Sequence, residues 1–290
     1  MHVDMDLKTV SWCVEQGVAT VTLDRPARGN AWTGRMESEY RTVLAAAEAA
    51  PEVGAVVITG AGRHFCVGAD ARAVAGQSAS KRYDSGLREP PAQPGDPAHP
   101  AHGTRHGFLL ALRKPVIAAV NGGAAGIGFA IACFADVRIV AEQAKLTTST
   151  SRLGLPAEFG VSWILPRLIG AARAAHLLLG SPVITGSEAA DIGLAHQAVP
   201  AEAVLTTAQR YARSLVDGCA PSSMATVKRQ MWDDMNRSLA EADADAQKRL
   251  LDMVSSEDFA LGARALAARA QPDYGARYRE PHPAEGNEDV

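Results

Sequence analysis

KPVIAAVNGGAAGIGFAIACFADVRIVAE, residues 114–142, contains the change of hydrophobic period that decides the fold. Val116 to Val120 is a short, uninterrupted apolar run of the kind that forms a buried strand. Asn121-Gly122-Gly123 breaks it, and the spacing predicts a turn over 121–127, a helix over 128–135 and a second strand over DVRIVA, 136–141. GAVVITG at 54–60 repeats this form: a strand over 54–59, then a turn over 60–70 that ends in HFCVGAD. Upstream, GVATVTL (17–23) alternates as a strand and DRPARGN (24–30) is a turn cluster. Residues 34–50 follow as a helix, with Met36, Tyr40, Val43, Leu44 and Ala47 near helical spacing. Strands that alternate with helices in this way predict α/β layers.

The rest of the chain has a different texture. Residues 75–108 are polar and rich in Pro and Gly, which predicts a variable loop or lid. From Ala171 the pattern is nearly all helical, with breaks at Gly180-Ser181-Pro182, Pro200, Pro221 and Ser255-Ser256, where Ser256 is a candidate cap. The predicted organisation is an α/β core over residues 1–200 and a helical region over 201–290.

At 290 residues the chain can bury a sizeable core. With 47% hydrophobic residues and a mean hydropathy of −0.05, it has the balance of a soluble globular protein. A net charge of −3 gives no drive toward nucleic acid or anionic membrane, and no basic stripe appears. The N-terminus carries acids and no apolar core of a secretory signal. Pro115 to Ala135 is uncharged, but the glycines at its centre predict strand, turn and helix rather than a membrane span. Cys13, Cys66, Cys133 and Cys219 lack CxxC spacing and read as buried, reduced thiols of a cytoplasmic protein.

The two glycine turns carry the chemistry. Without a Cβ, glycine lets backbone N–H groups approach a ligand closely. Two such groups converging on one oxygen make an oxyanion hole. A packing role for these glycines would leave the pairing of the motifs unexplained. A dinucleotide site over 123–128 is disfavoured, because position 131 is Ile and no acidic residue closes a second strand at the expected distance.

GVATVTLDRPARGNAW, GAVVITGAGRHFCVGADARAV, KPVIAAVNGGAAGIGFAIACFADVRIVAE, ITGSEAADIGLAHQAVP and SEDFALGARALAARAQPDY occur in this order between about residues 12 and 278. Together they resemble the crotonase superfamily of enoyl-CoA hydratases and isomerases. The resemblance implies an α/β fold with a crotonase-like ββα spiral core and a helical C-terminal trimerisation region. It further implies a CoA thioester as substrate, no metal or redox cofactor, and a homotrimer or dimer of trimers. Its oxyanion donors correspond to the backbone N–H groups of Ala69 and Ile127. Substrate-binding positions carried over are Arg25, Arg28, Val67, Gly68, Asp70 and Gly126, with Arg72 and Arg269 as further cations.

Hydratases of this superfamily use two glutamates, and the resemblance puts Ala130 and Thr150 at those positions. Neither Ala nor Thr is a general base near neutral pH. Glu158, among Leu155, Pro156, Phe159, Val161, Trp163 and Ile164, is the carboxylate nearby in sequence. Apolar neighbours would raise its pKa toward a useful range for proton transfer. Some isomerases of the family have an acid at this position as single base, moving a proton between C2 and C4. The expectation is therefore enoyl-CoA isomerisation by Glu158. The alternatives are hydration with an unusual acid/base pair, a related hydrolase or decarboxylase, or acyl-CoA binding without catalysis. A structural reading pairs Glu158 with Arg152 or Arg167. Asp70 reads as a cap or a partner of Arg72, and Asp136 with Arg138 as structural. His99, His102 and His106 have zinc-like spacing but no regular scaffold, so no metal site is expected.

Overall fold

A computed structural model describes residues 6–70, 75–76, 79–82 and 84–278. Strands β1 (Val10–Glu15) and β2 (Val18–Leu23) form a hairpin whose two turn residues, Gln16 and Gly17, have φ +48° and +81°. Two positive φ values suit the twist of a two-residue hairpin. From β2 the sheet continues in parallel through β3 (Ala55–Gly60), β5 (Val116–Val120), β7 (Val137–Ala141) and β9 (Gln197–Val199), in the order β1-β2-β3-β5-β7-β9. A second, three-stranded parallel sheet holds β4 (His64–Cys66), β6 (Gly123–Ala125) and β8 (Leu146–Thr147) in that order.

Helix α1 (Gly34–Ala49) crosses from β2 to β3, started by the Thr33 hydroxyl, which accepts from Met36 N at 3.2 Å. Its Met36, Tyr40, Val43, Leu44 and Ala47 are buried in the main core, as their spacing predicts. The central strands are covered on both faces, which explains their uninterrupted apolar runs. Val56 and Ile58 face the main core, while Val57, Ile117 and Ile139 face a second layer. That layer is closed by α6 (Val204–Gly218) through Val204, Ala208, Ala212 and Val216. Thus a helix from the region beyond residue 200 packs directly on the sheet.

The remaining helices are α2 (Ile127–Phe134), α3 (Val161–Ile169), α4 (Ala171–Gly180), α5 (Gly186–Asp191), α7 (Pro221–Asp233), α8 (Leu239–Met253) and α9 (Glu257–Ala267). Ser256 caps α9, its hydroxyl accepting from Phe259 N at 3.1 Å. The uncharged stretch Pro115–Ala135 divides into β5, β6 and the fully buried α2. Among the described residues no helix is long and apolar enough to cross a membrane.

Two expectations change, and the structural reading of Asp136 and Arg138 does not. The helical pattern after Ala171 is interrupted by β9. Cys13 is exposed on the edge strand β1, where alternation turns its side chain outward, and only Cys66 and Cys133 are fully buried. Asp136 accepts from Val116 N and from Lys228 Nζ, each at 2.7 Å, and so fastens α7 to the sheet. Its sequence neighbour Arg138 is buried and donates to Leu194 O at 2.7 Å.

Candidate active site

Parallel pairing puts the carboxyl ends of β4, β6 and β8 along one edge of the small sheet. The loops leaving that edge are Val67–Asp70, Gly126-Ile127 and Thr148–Thr150. They line one cleft of about 690 Å³ together with Trp32, Arg105, Glu158 and Phe159.

The first loop is tied down by the turn that follows β2. Asn30 is fully buried: its Oδ1 accepts from Arg25 N at 2.8 Å, and its Nδ2 donates to Ala61 O at 3.0 Å and His64 O at 2.7 Å. One amide therefore joins the ends of β2 and β3 to the start of β4. Trp32 N donates to Gly68 O at 2.8 Å and Asp70 N to Trp32 O at 3.2 Å, which brackets Ala69. Ala69 itself is exposed to the cleft.

The second loop is fixed by backbone geometry. Gly126 has φ +50° and ψ −110°, a conformation open essentially to glycine alone. Its N–H donates to Thr147 O at 3.2 Å. Ile127 is the first residue of α2, so its N–H has no intrahelical acceptor. A Cβ on Gly128 would stand 2.1 Å from Cys66 O, so α2 lies directly on β4 and brings the two loops together. At the other end of α2, the Arg138 guanidinium donates to Ala132 O at 3.2 Å and Cys133 O at 3.3 Å. The positive end of the helix faces the cleft and a buried cation serves its negative end.

Glu158 is half-buried at the wall of the same cleft. Burial pushes its carboxyl above the usual range, and the nearby Arg105 charge partly opposes that shift. Neither Arg152 nor Arg167 pairs with it: Arg152 Nε donates to Gly180 O at 3.4 Å, and Arg167 stacks 4.1 Å over the Trp163 ring. Among the described residues, Glu158 and Asp84 are the acids that line the cleft. Thr150 reaches the cleft wall, whereas Ala130 is fully buried in α2.

The other predicted positions are distributed as follows. Val67, Gly68 and Gly126 line the cleft, although Val67 N already donates to Gly29 O at 3.1 Å. Arg25 bonds the Ala31 carbonyl and pairs with Asp70 at 3.3 Å. Asp70 is thus an arginine partner through Arg25, and the expected Arg72 lies outside the described residues. Arg28 is exposed on the Pro26–Arg28 turn, and Arg269 follows the end of α9, away from the cleft lining. His106 is buried with its ring 5.5 Å from Trp32 and 5.2 Å from Phe159. His99 Nδ1 accepts from Ala101 N at 3.0 Å, and His102 Nε2 lies 3.1 Å from Gln93 O. No group of three His, Cys, Asp or Glu that could hold a metal is found among the described residues.

Sequence reasoning missed Arg105, whose guanidinium pairs with buried Glu37 at 2.7 Å and lies 5.4 Å from the Phe159 ring centre. It also missed Arg35, Arg82 and Asp84 on the cleft wall. Arg82, Asp84 and Arg105 belong to the irregular 75–108 stretch, whose composition carries no periodicity to place them.

A profile of the enoyl-CoA hydratase/isomerase family matches residues 14–277. The chain belongs to the enoyl-CoA hydratase/isomerase family. The mixed fold described above is accordingly the crotonase fold, and the chain is an enzyme of that superfamily. The 1,2-epoxyphenylacetyl-CoA isomerase of Escherichia coli K12 is 31% identical over 90% of this chain and 96% of its own length. A protein of Rhodobacter capsulatus named probable enoyl-CoA hydratase is 32% identical over 94% of this chain and all of its own (100%). The crystal structure of a probable enoyl-CoA hydratase/isomerase from Mycobacterium abscessus superposes with a TM-score of 0.78 at 34% identity, covering 91% and 98% of the two chains.

Proposed function

We propose that this family member binds an acyl-CoA, holds the thioester oxygen on the N–H groups of Ala69 and Ile127, and isomerises an enoyl-CoA double bond with Glu158 as proton carrier. The observation that carries the reading is a half-buried carboxyl, that of Glu158, on the wall of the cleft that both glycine turns line, where burial favours its protonated form. In this reaction Glu158 takes a proton from C2 or C4, negative charge develops on the thioester oxygen, and the two backbone dipoles stabilise it. Return of the same proton to the other carbon completes the shift, with no net change in charge. Arg28, Arg35 and Arg82 are exposed cations suited to the phosphates of the CoA. Arg25 and Asp70 act by holding the first loop.

Water addition is the second reading, supported by the name of the Rhodobacter relative. The name of the Escherichia coli relative makes a phenylacetyl thioester a substrate worth including. NMR of a 3-enoyl-CoA and a 2-enoyl-CoA with the wild type and Glu158→Gln separates these. Migration lost in the variant is the expected result. Hydration that survives Glu158→Gln would overturn the isomerase and point to another base. Association into a homotrimer or a dimer of trimers belongs to the same reading, supported by exposed Leu239, Leu251 and Leu266 on α8 and α9. Sedimentation at equilibrium tests it, and a monomer at micromolar concentration would refute it.

A further inference from the structure

A second cavity, of about 820 Å³, adjoins the reaction cleft and shares Arg105 and Phe159 with it as a common wall. This is within the roughly 300–1,000 Å³ typical of small-molecule sites. Its lining includes Leu110, Phe134, Trp163 and Trp232, with the two indoles 6.0 Å apart. The charged groups at its edge satisfy one another: Arg229 pairs with Asp96 at 3.0 Å and with Asp233 at 2.7 Å, and Arg237 lies 3.7 Å from Asp233. An uncharged, apolar occupant suits such a chamber, because a charged one would have to displace these pairs.

We propose that this chamber takes the far end of the acyl group, an aryl or long apolar tail that passes Phe159 from the reaction cleft. The inference rests on the acyl-CoA reading above. The shared wall identifies the occupant: Ala69, Ile127 and Phe159 line the one cleft, and Phe159 and Arg105 also line the chamber beside it. Phe159 stands between His106 at 5.2 Å and the Arg105 guanidinium at 5.4 Å, so its ring is an aromatic partition rather than a solvent-facing side chain. It is a specificity-determining residue, because its position sets whether a tail stops in the cleft or continues.

Calorimetric titration with butyryl-CoA, decanoyl-CoA and 6-phenylhexanoyl-CoA tests the proposal without requiring turnover. Each methylene entering an apolar chamber tightens binding about fourfold. Decanoyl- and phenylhexanoyl-CoA should therefore bind at least about a hundredfold tighter than butyryl-CoA. Ala101→Trp, which narrows the chamber, should cut that gain by at least about tenfold and leave butyryl-CoA affinity within about threefold. A second readout needs no variant: 10-bromodecanoyl-CoA should quench the fluorescence of Trp163 and Trp232 beyond the effect of decanoyl-CoA. A flat affinity series, an Ala101→Trp variant that keeps the gain, or absence of bromine quenching each overturns the chamber. If butyryl-CoA itself fails to bind, the acyl-CoA reading falls, and the chamber with it.

Discussion

Replacing Gly126 by Ala separates the backbone requirement of the second loop from its packing requirement. The nearest atom to a Cβ at this position is Gly68 Cα at 3.9 Å, so the methyl group itself fits. The penalty is conformational, since φ +50° with ψ −110° is foreign to an L-residue and costs about 1–3 kcal/mol. With an unfolding entropy of about 2.1 cal/mol/K per residue, that lowers Tm by roughly 2–5 °C in a chain of this length. The variant can relieve the strain by rotating the peptide between 126 and 127, which turns the Ile127 N–H away from the cleft. Loss of one oxyanion donor costs about 2.7–4 kcal/mol at the transition state, or about 100- to 1,000-fold in rate. Gly126→Ala should therefore remain folded while migration of a 3-enoyl double bond slows by about 100-fold or more. Infrared spectroscopy of a bound acyl-CoA labelled at the thioester carbonyl reads the same donor directly, because hydrogen bonding lowers the stretching frequency. A folded Gly126→Ala with the full carbonyl shift and turnover within threefold of wild type would refute this role of Ile127.

Asn30→Ala strips three part-buried backbone partners of their bonds and should destabilise the fold by roughly 2–4 kcal/mol in urea titrations. A loss below about 1 kcal/mol would show that Asn30 is not what ties the first loop to the sheet. For Glu158, a carboxyl raised by burial is favoured as the neutral acid in the folded state. Its contribution to stability is present below the ordinary glutamate pKa and is lost as pH rises through the raised value. Glu158→Gln should gain in Tm relative to wild type on going from pH 4 to pH 8, while wild-type isomerisation rises over the window in which Glu158 ionises. A Tm difference that does not change with pH contradicts the shift. Burial pushes the Cys66 and Cys133 thiols up to about 12, so a maleimide at pH 7.5 should label exposed Cys13 before either. Mass spectrometry that finds Cys66 modified first would contradict the packing of α2 on β4.

The α/β layering was legible because its signals are local. VIAAV is apolar over its whole length, GAVVITG but for Thr59 and VRIVA but for Arg138, and α1 repeats its apolar residues at helical spacing. Strands β4, β6 and β8 escaped, since stretches of two or three residues are too short to display a period. Their pairing joins segments far apart in the chain, yet it aligns the loops around the cleft. Arg105 was hidden for a related reason. Its place depends on Glu37, 68 residues earlier, and on Phe159, neither of which is visible from the loop's composition. Glu158 stood out through its apolar neighbours, but its nearness to the glycine turns is a product of the tertiary fold.

Exchange of the C2 protons of butyryl-CoA in D₂O, followed by NMR, tests the central claim most directly. It requires enolate stabilisation and a base, and needs no double bond or added water. The wild type should exchange deuterium into C2, and Glu158→Gln should lose at least about 100-fold of that rate while binding butyryl-CoA as tightly. Binding without exchange in the wild type, or exchange at an undiminished rate in Glu158→Gln, would contradict it.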